Sequence, residues 1–181
     1  IGLAYELSET FNSPVMLRPT TRVCHSRQDV LLKNIPRRRP EVKFEKDPSR
    51  WAATPRYRFH LHTAVEEKLV AMAQHKATAP LRLNPEAVSS SAIVSSGVAA
   101  AHCNEIIKSL GLWQTIPFYQ VLQPFPLHSE FISELIQTYE EILIIEETMG
   151  VIELQLADRR RIKGKMSNDV PKVGELYPED I

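Results

Sequence analysis

Hydrophobic residues recur at helical spacing in two stretches of the first 80 residues. A four-residue repeat near the start predicts one face of a helix, formed by Leu3, Leu7 and Phe11. Pro14 ends this helix, because proline disfavours helical geometry in the residue before it. The apolar run Val15–Leu17 then predicts a short buried strand. A second stripe predicts a helix from Phe59 to about Lys76, formed by Leu61, Val65, Leu69 and Met72.

From about residue 88 the pattern becomes a regular alternation of short apolar runs and helical stripes. The predicted strands are 91–94, 117–122, 142–145 and 162–165, and the predicted helices are 98–110, 129–139 and about 150–160. Gly111 is expected to close the first of these helices in a left-handed conformation, and Ser129 to cap the second. Residues 142–145 are apolar at every position, as in a strand covered on both faces. The alternation predicts an α/β fold with a parallel or mixed sheet.

Composition narrows the class of protein. Among 181 residues, 22 Lys and Arg balance 22 Asp and Glu, and this zero net charge argues against a general nucleic-acid or anionic-membrane binder. No apolar run approaches bilayer length, and the two cysteines favour a reducing, cytoplasmic setting.

The chain starts without Met inside an amphipathic pattern, so we expect it to be part of a longer polypeptide. Residues 33–58, rich in proline and in basic residues such as Arg37–Arg39, are expected to form a solvated linker.

The stretch RPTTRVCHSR, residues 18–27, is the densest chemical cluster. Such a cluster is compatible with anion binding, metal binding, a nucleophile or a solvated turn. On the predicted strand exit, Arg22 is flanked by a threonine hydroxyl at Thr21. A guanidinium held there suits a carboxylate, which it grips through two parallel hydrogen bonds.

Three other candidates are weaker. Residues 95–97 (Ser-Ser-Gly) lie between a strand and a helix, as a phosphate loop does, but they lack the spaced glycines of a nucleotide site. Glu146 and Glu147 follow a strand end, yet neighbours on an extended chain point in opposite directions and make a poor acid–base dyad. Cys103 lies on the apolar face of its helix, away from His102, and is expected in the core.

Several motifs in order resemble one enzyme family. SETFNSPVMLRPTTRVCHSR, with Cys24 where the family has serine, is similar to the end of the pyrimidine-binding domain in the alpha subunit of indolepyruvate:ferredoxin oxidoreductases. These belong to the thiamine-diphosphate-dependent 2-oxoacid:ferredoxin oxidoreductase superfamily. The resemblance continues through FEKDP, IVSSG, FPL, IIEE, GK and GEL, at residues 44–48, 93–97, 125–127, 144–147, 164–165 and 174–176.

The resemblance implies a domain organisation. Residues 1–32 would be the carboxyl-terminal remnant of a thiamine pyrimidine-binding domain, and residues 33–87 a linker with one helix. Residues 88–181 would be a transketolase C-terminal-like domain: a three-layer α/β/α unit with a mainly parallel sheet. The chain would then be an internal section of the alpha subunit.

The resemblance also implies an activity: oxidative decarboxylation of aryl pyruvates, indolepyruvate first, to aryl-acetyl-CoA with reduction of ferredoxin. Arg22 would contact the substrate carboxylate, with Thr21 and His25 beside it. The parent enzyme would use thiamine diphosphate, Mg, [4Fe-4S] clusters and CoA. No catalytic, cofactor or metal residue is assigned to this chain, because the Gly-Asp-Gly motif and clustered cysteines of the family are absent from its sequence.

The implied partners are the remaining domains of the subunit, the beta subunit and ferredoxin, with no nucleic acid and no membrane. Alone, the chain is expected to be inactive. The alternative hypothesis is that residues 88–181 form a non-catalytic interface or scaffold domain that holds domains and subunits together.

Overall fold

The computed structural model describes residues 1–32 and 44–181. Its α-helices are α1 (Gly2–Phe11), α2 (Thr21–His25), α3 (Pro48–Trp51), α4 (Arg58–Ala73), α5 (Gly97–Ser109), α6 (Ser129–Thr138) and α7 (Val151–Leu154). Short 3-10 turns lie at Lys76–Thr78 and Pro178–Asp180. Of the helices in these two ranges, none combines the length and apolarity that a bilayer crossing requires. The triple arginine 37–39 lies outside the described residues.

The strands form one five-stranded sheet in the order β1-β3-β2-β4-β5. They are β1 (Leu81–Arg82), β2 (Ser91–Ser96), β3 (Phe118–Val121), β4 (Glu141–Ile145) and β5 (Ile162–Lys163). All neighbouring pairs are parallel except β1 with β3. The predicted mainly parallel sheet is confirmed. Its carboxyl edge, where β2, β3 and β4 end together, is the edge on which open α/β sheets place ligands.

Two apolar clusters cover the two faces of the sheet. Ile142 and Ile144 of β4 pack into one cluster with Phe131 and Leu135 of α6. The intervening Leu143 and Ile145 of the same strand pack into the other, with α5 and the C-terminal segment; its buried members include Cys103, Ile107, Val170 and Leu176. Because the side chains of a strand alternate between faces, a strand buried on both sides is apolar throughout. The three-layer α/β/α arrangement is confirmed.

The helices α1, α4 and α5 lie where their apolar stripes predict them. Gly111 has φ +70°, the left-handed conformation expected for the residue that follows the C-terminus of α5. The edge strand β1 precedes residue 88, so the sheet takes one strand from the segment predicted as linker.

The strand predicted at Val15–Leu17 is wrong. Residues 13–20 have no regular secondary structure, and Met16 is 86% exposed. Pro14 and Pro19 bracket the run, and proline both lacks an N–H donor and restricts its neighbour. A short strand needs a partner that supplies backbone hydrogen bonds, and no described strand pairs with this run.

Two predicted helix features are also wrong. Ser129 does not cap α6: it is the first helical residue, and its hydroxyl donates to the carbonyl of Ala73 at the end of α4. The helix predicted at 150–160 is a single turn, Val151–Leu154. Beyond it the carboxylate of Asp158 accepts the amide of Arg160, forming a local turn that returns the chain to β5.

Candidate functional site

A cavity of about 510 Å³ lies at the carboxyl edge of the sheet. Its floor is formed by the ends of β2, β3 and β4, one wall by residues 16–21, and another by the C-terminal segment at Gly174 and Glu175. Polar lining residues include Arg18, Thr20, Thr21, Ser96, Glu146 and Glu147. The cavity therefore brings the opening cluster of the sequence against the strand ends.

The Ser-Ser-Gly stretch at residues 95–97 does not form a separate turn. Ser95 and Ser96 belong to β2, and α5 begins directly at Gly97 with φ +60°. The hydroxyl of Ser95 is fully buried and donates to the carbonyl of Ile145 at 2.5 Å. This bond joins the ends of two parallel strands, so Ser95 stabilises the cavity floor and offers no free hydroxyl to a ligand.

Glu146 is only 3% exposed, and both of its carboxylate oxygens are occupied by backbone amides. Oε2 accepts the amide of Ile152 and Oε1 that of Glu153, each at 2.9 Å. Burial raises the pKa of Glu146, and the amide hydrogen bonds oppose that rise. Glu146 thus fixes the start of α7 to the end of β4.

Glu147 is bound to a different part of the chain. Its Oε1 accepts the amide of Leu176 at 3.1 Å, which holds the C-terminal segment over the sheet edge. The two adjacent glutamates therefore have separate partners, as expected of neighbours on an extended chain.

The sequence analysis missed Glu153, a carboxylate that is 1% exposed. It accepts the amides of Lys165 at 2.9 Å and Met166 at 3.1 Å, directly after β5. A Cβ on Gly164 would lie 2.9 Å from its Oε2, so glycine is needed for this close approach. The signal available in the sequence was a lone glutamate inside the apolar run Val151–Leu154.

Arg22 lies on the short helix α2, and its guanidinium already contacts a carboxylate. Its Nη2 is 2.6 Å from Oε2 of Glu175 and 3.4 Å from the hydroxyl of Tyr177. The Arg22 Cζ also lies 5.2 Å from the centre of the Tyr177 ring, in a cation–π contact. The Arg22 and Glu175 side chains are 57% and 46% exposed. Glu175 lines the cavity, whereas Arg22 itself does not and reaches it only through this contact.

The other two predicted site residues are placed differently from each other. Thr21 lines the cavity beside Thr20, whose hydroxyl oxygen accepts the amide of Val23 at the start of α2. His25 lies in the last turn of α2, is exposed, and does not line the cavity. The structure thus brings Thr21 and the partner of Arg22 together at one cavity, and leaves His25 outside it.

The cysteines offer no nucleophile at this site. Cys103 is 1% exposed in the core of the α5 face, as predicted, and burial raises the pKa of its thiol to about 11. Cys24 is exposed on α2 and does not line the cavity. Within residues 1–32 and 44–181, no three His, Cys, Asp or Glu side chains are grouped as a metal site requires.

A second cavity, of about 580 Å³, lies between α1, α3 and α4. Arg50 donates to the side-chain oxygen of Asn12 at 3.1 Å, and Lys68 donates to its carbonyl at 2.9 Å. Asn12 ends α1 in the left-handed conformation, and these two bonds connect it to α3 and α4. Three of the polar residues that line this cavity, Asn12, Arg50 and Lys68, are paired with one another, so we assign it a structural role.

Comparisons with known proteins cover most of the chain. No protein-family model matches it. The indolepyruvate oxidoreductase subunit IorA of Thermococcus kodakarensis is 30% identical over 84% of this chain and 24% of its own length. The IorA subunit of Methanothermobacter thermautotrophicus is 29% identical over 98% of this chain and 30% of its own length, and that of Archaeoglobus fulgidus is 24% identical over 93% and 27%.

The chain thus spans 24% to 30% of the length of these relatives. Each of these relatives is named as a subunit of an oxidoreductase. The resemblance carried by the ordered motifs is confirmed: over most of its length, this chain is similar to part of the indolepyruvate oxidoreductase subunit IorA.

Proposed function

We propose that this chain is part of a 2-oxoacid:ferredoxin oxidoreductase that acts on aryl pyruvates, indolepyruvate first. In this reaction the carboxylate leaves as CO₂, the acyl group is transferred to CoA, and two electrons pass to ferredoxin. The observation that carries the proposal is the similarity to IorA subunits over 84% to 98% of the chain. The three-layer fold with a cavity at the carboxyl edge of its sheet is consistent with it.

Within this proposal, Arg22 binds the substrate carboxylate and Thr21 and His25 lie beside it. The contact with Glu175 supports the assignment, because it shows that the guanidinium at this position accommodates a carboxylate at 2.6 Å. The Arg22 side chain is 57% exposed, so a ligand that displaces Glu175 can reach the guanidinium.

The [4Fe-4S] clusters implied by the family do not fit the residues of this chain. A [4Fe-4S] cluster needs four thiolates, and the sequence has two cysteines. One of the two, Cys103, is buried in the core. We propose that the clusters, together with thiamine diphosphate, Mg and CoA, belong to other parts of the parent enzyme, and expect the 181-residue chain alone to be inactive.

The proposed partners follow from the same assignment: the remaining domains of the subunit, a beta subunit, and ferredoxin as electron acceptor. The low cysteine count favours a reducing compartment, and we propose the cytoplasm.

An activity assay of the assembled enzyme that contains this chain tests the proposal. We expect reduction of ferredoxin to require both CoA and a 2-oxoacid, with a higher kcat/KM for indolepyruvate than for pyruvate or 2-oxoglutarate. If ferredoxin is reduced but another 2-oxoacid gives the higher kcat/KM, the proposed substrate is wrong and the proposed reaction stands. No 2-oxoacid-dependent reduction would reject the proposal.

The alternative, that residues 88–181 form an interface domain without chemistry, draws support from exposed apolar residues of that domain. Leu122 is 50% exposed, Phe125 59% and Met149 59%. Side chains of this kind are common at protein–protein contacts. Sedimentation of the chain with and without the candidate beta subunit tests this function: association supports an interface, and a monomer in both cases contradicts it.

A further inference from the structure

We infer that Glu175 is an internal competitor for the carboxylate-binding arginine. In the structure its carboxylate occupies Nη2 of Arg22, so that a ligand carboxylate must displace it to bind. Glu175 would then set the apparent affinity of the site for 2-oxoacids. The inference rests on the proposed function, in which Arg22 binds the substrate carboxylate.

The geometry of the guanidinium makes Nη2 the decisive atom. A guanidinium offers two edges with parallel N–H donors, Nε with Nη2 and Nη1 with Nη2, and Nη2 belongs to both. Its two hydrogens face two acceptors here, Glu175 at 2.6 Å and the Tyr177 hydroxyl at 3.4 Å. While both contacts persist, neither edge is open to a carboxylate that binds through two hydrogen bonds.

Glu175 is held in place by the residues that follow it. Leu176 is 1% exposed in the core, and its amide donates to Glu147. The amide of Tyr177 donates to the carboxylate of Asp180 at 2.9 Å, which closes the final turn. The backbone on the C-terminal side of Glu175 is therefore fixed, which limits the positions that its carboxylate can take and keeps it near Arg22.

Position and charge support competition at the cavity. Glu175 and Gly174 line the cavity from the C-terminal side, and Thr20 and Thr21 line it from the segment that leads into α2. The Arg22–Glu175 ion pair therefore joins two walls of the same cavity. A ligand carboxylate entering there meets the negative charge of Glu175 beside the positive charge that it needs.

The strength of this competition is limited by solvent. Exposed ion pairs contribute little, and both side chains here are about half exposed. When only part of the population has a free guanidinium, the apparent dissociation constant rises by the inverse of that fraction. An ion pair of this kind should weaken ligand binding by about two- to fivefold.

The test compares steady-state kinetics of Glu175→Ala and wild type in the assembled oxidoreductase, with indolepyruvate as substrate. We expect Glu175→Ala to lower KM by about two- to fivefold with kcat unchanged, because the guanidinium is released without a change in the reacting groups. Glu179→Ala is the matched control: it removes an exposed carboxylate four residues away and should leave KM unchanged.

Arg22→Ala and the double variant separate the two claims. If Arg22→Ala raises KM and Glu175→Ala leaves KM unchanged or raises it, the competition is rejected and the proposed function stands. If Arg22→Ala leaves KM unchanged, the carboxylate role of Arg22 fails and the competition fails with it. In the Arg22→Ala background, the inference also requires that Glu175→Ala no longer lowers KM.

Discussion

Glu146, Glu147 and Glu153 share one edge of the sheet and differ in burial and partners. Glu146 and Glu153 each accept two backbone amides and are almost completely buried. Glu147 holds the C-terminal segment through Leu176. The sequence shows that Glu146 and Glu147 follow a strand. It does not show which backbone amides the three carboxylates accept, because those partners depend on the path of the chain from α7 to β5.

The raised pKa of Glu146 makes the stability of the chain depend on pH. Between the ordinary glutamate value of 4.5 and the raised folded value, the folded state binds more protons than the unfolded state. The contribution of Glu146 is therefore fully present below that window and is lost as the pH rises through it. We expect the free energy of unfolding of wild type relative to Glu146→Gln to decrease as the pH rises.

Urea unfolding of the two proteins from about pH 4 to about pH 8 measures this difference. Glu179→Gln, which removes one exposed carboxylate, is the control. A difference between wild type and Glu146→Gln that stays constant, or grows with pH, would contradict the raised pKa.

Gly164→Ala should destabilise the chain by roughly 1–3 kcal/mol, because overpacking forces displacement of fixed groups. The new Cβ would lie 2.9 Å from Glu153 Oε2 and 3.1 Å from the carbonyl of Ile144. In the matched control Gly2→Ala, the Cβ meets nothing within 4 Å. Denaturant midpoints of the two variants check the prediction, and equal midpoints would show that the edge around Glu153 is loosely packed.

At the scale of helices and strands, the sequence predicted those elements whose buried residues form a complete hydrophobic pattern along the chain. β4 was predictable because its side chains are buried on both faces of the sheet, which makes the run apolar throughout. α5 was predictable because its apolar stripe ends where Gly111 predicts the end of the helix. The strand at Val15–Leu17 failed because an apolar run alone does not supply a pairing partner. The helix after Gly150 is shorter than predicted: α7 ends at Leu154, and a turn at Asp158 follows it, which periodicity does not reveal.

Asn84 shows how one side chain can fix the junction of several segments. Its amide nitrogen donates to the carbonyls of Trp113 and Ile116, each at 2.8 Å. Its oxygen accepts the amide of Phe118, at the start of β3, at 2.7 Å. Asn84 is 3% exposed, so water cannot replace these bonds.

Asn84→Ala should therefore reduce the free energy of unfolding by about 2–4 kcal/mol, since it leaves three backbone groups unsatisfied. Asn104→Ala is the control on a helix: its buried Oδ1 has no hydrogen-bond partner in the described part of the chain. That variant should change stability by less than about 0.5 kcal/mol. Equal losses of unfolding free energy in the two variants would show that the hydrogen bonds of Asn84 do not stabilise this junction.

At the scale of the whole molecule, the candidate site depends on contacts between distant parts of the sequence. Arg22 and Glu175 are 153 positions apart, and no local pattern predicts their contact. The sequence analysis predicted that Arg22, on a strand exit, binds a substrate carboxylate. The structure places Arg22 on α2, where it contacts the cavity-lining Glu175. The motifs and their order were sufficient to identify the related subunits, because they do not depend on the local secondary structure.

The KM of the assembled oxidoreductase for indolepyruvate, measured for Arg22→Ala, tests the central claim most directly. Loss of a charge-assisted hydrogen bond to the substrate costs about 1.5–3 kcal/mol, so we expect KM to rise by roughly ten- to a hundredfold. Arg27→Ala, which removes another exposed arginine of the same segment, should leave KM close to wild type. An unchanged KM in Arg22→Ala, or an equal rise in both variants, would contradict the account.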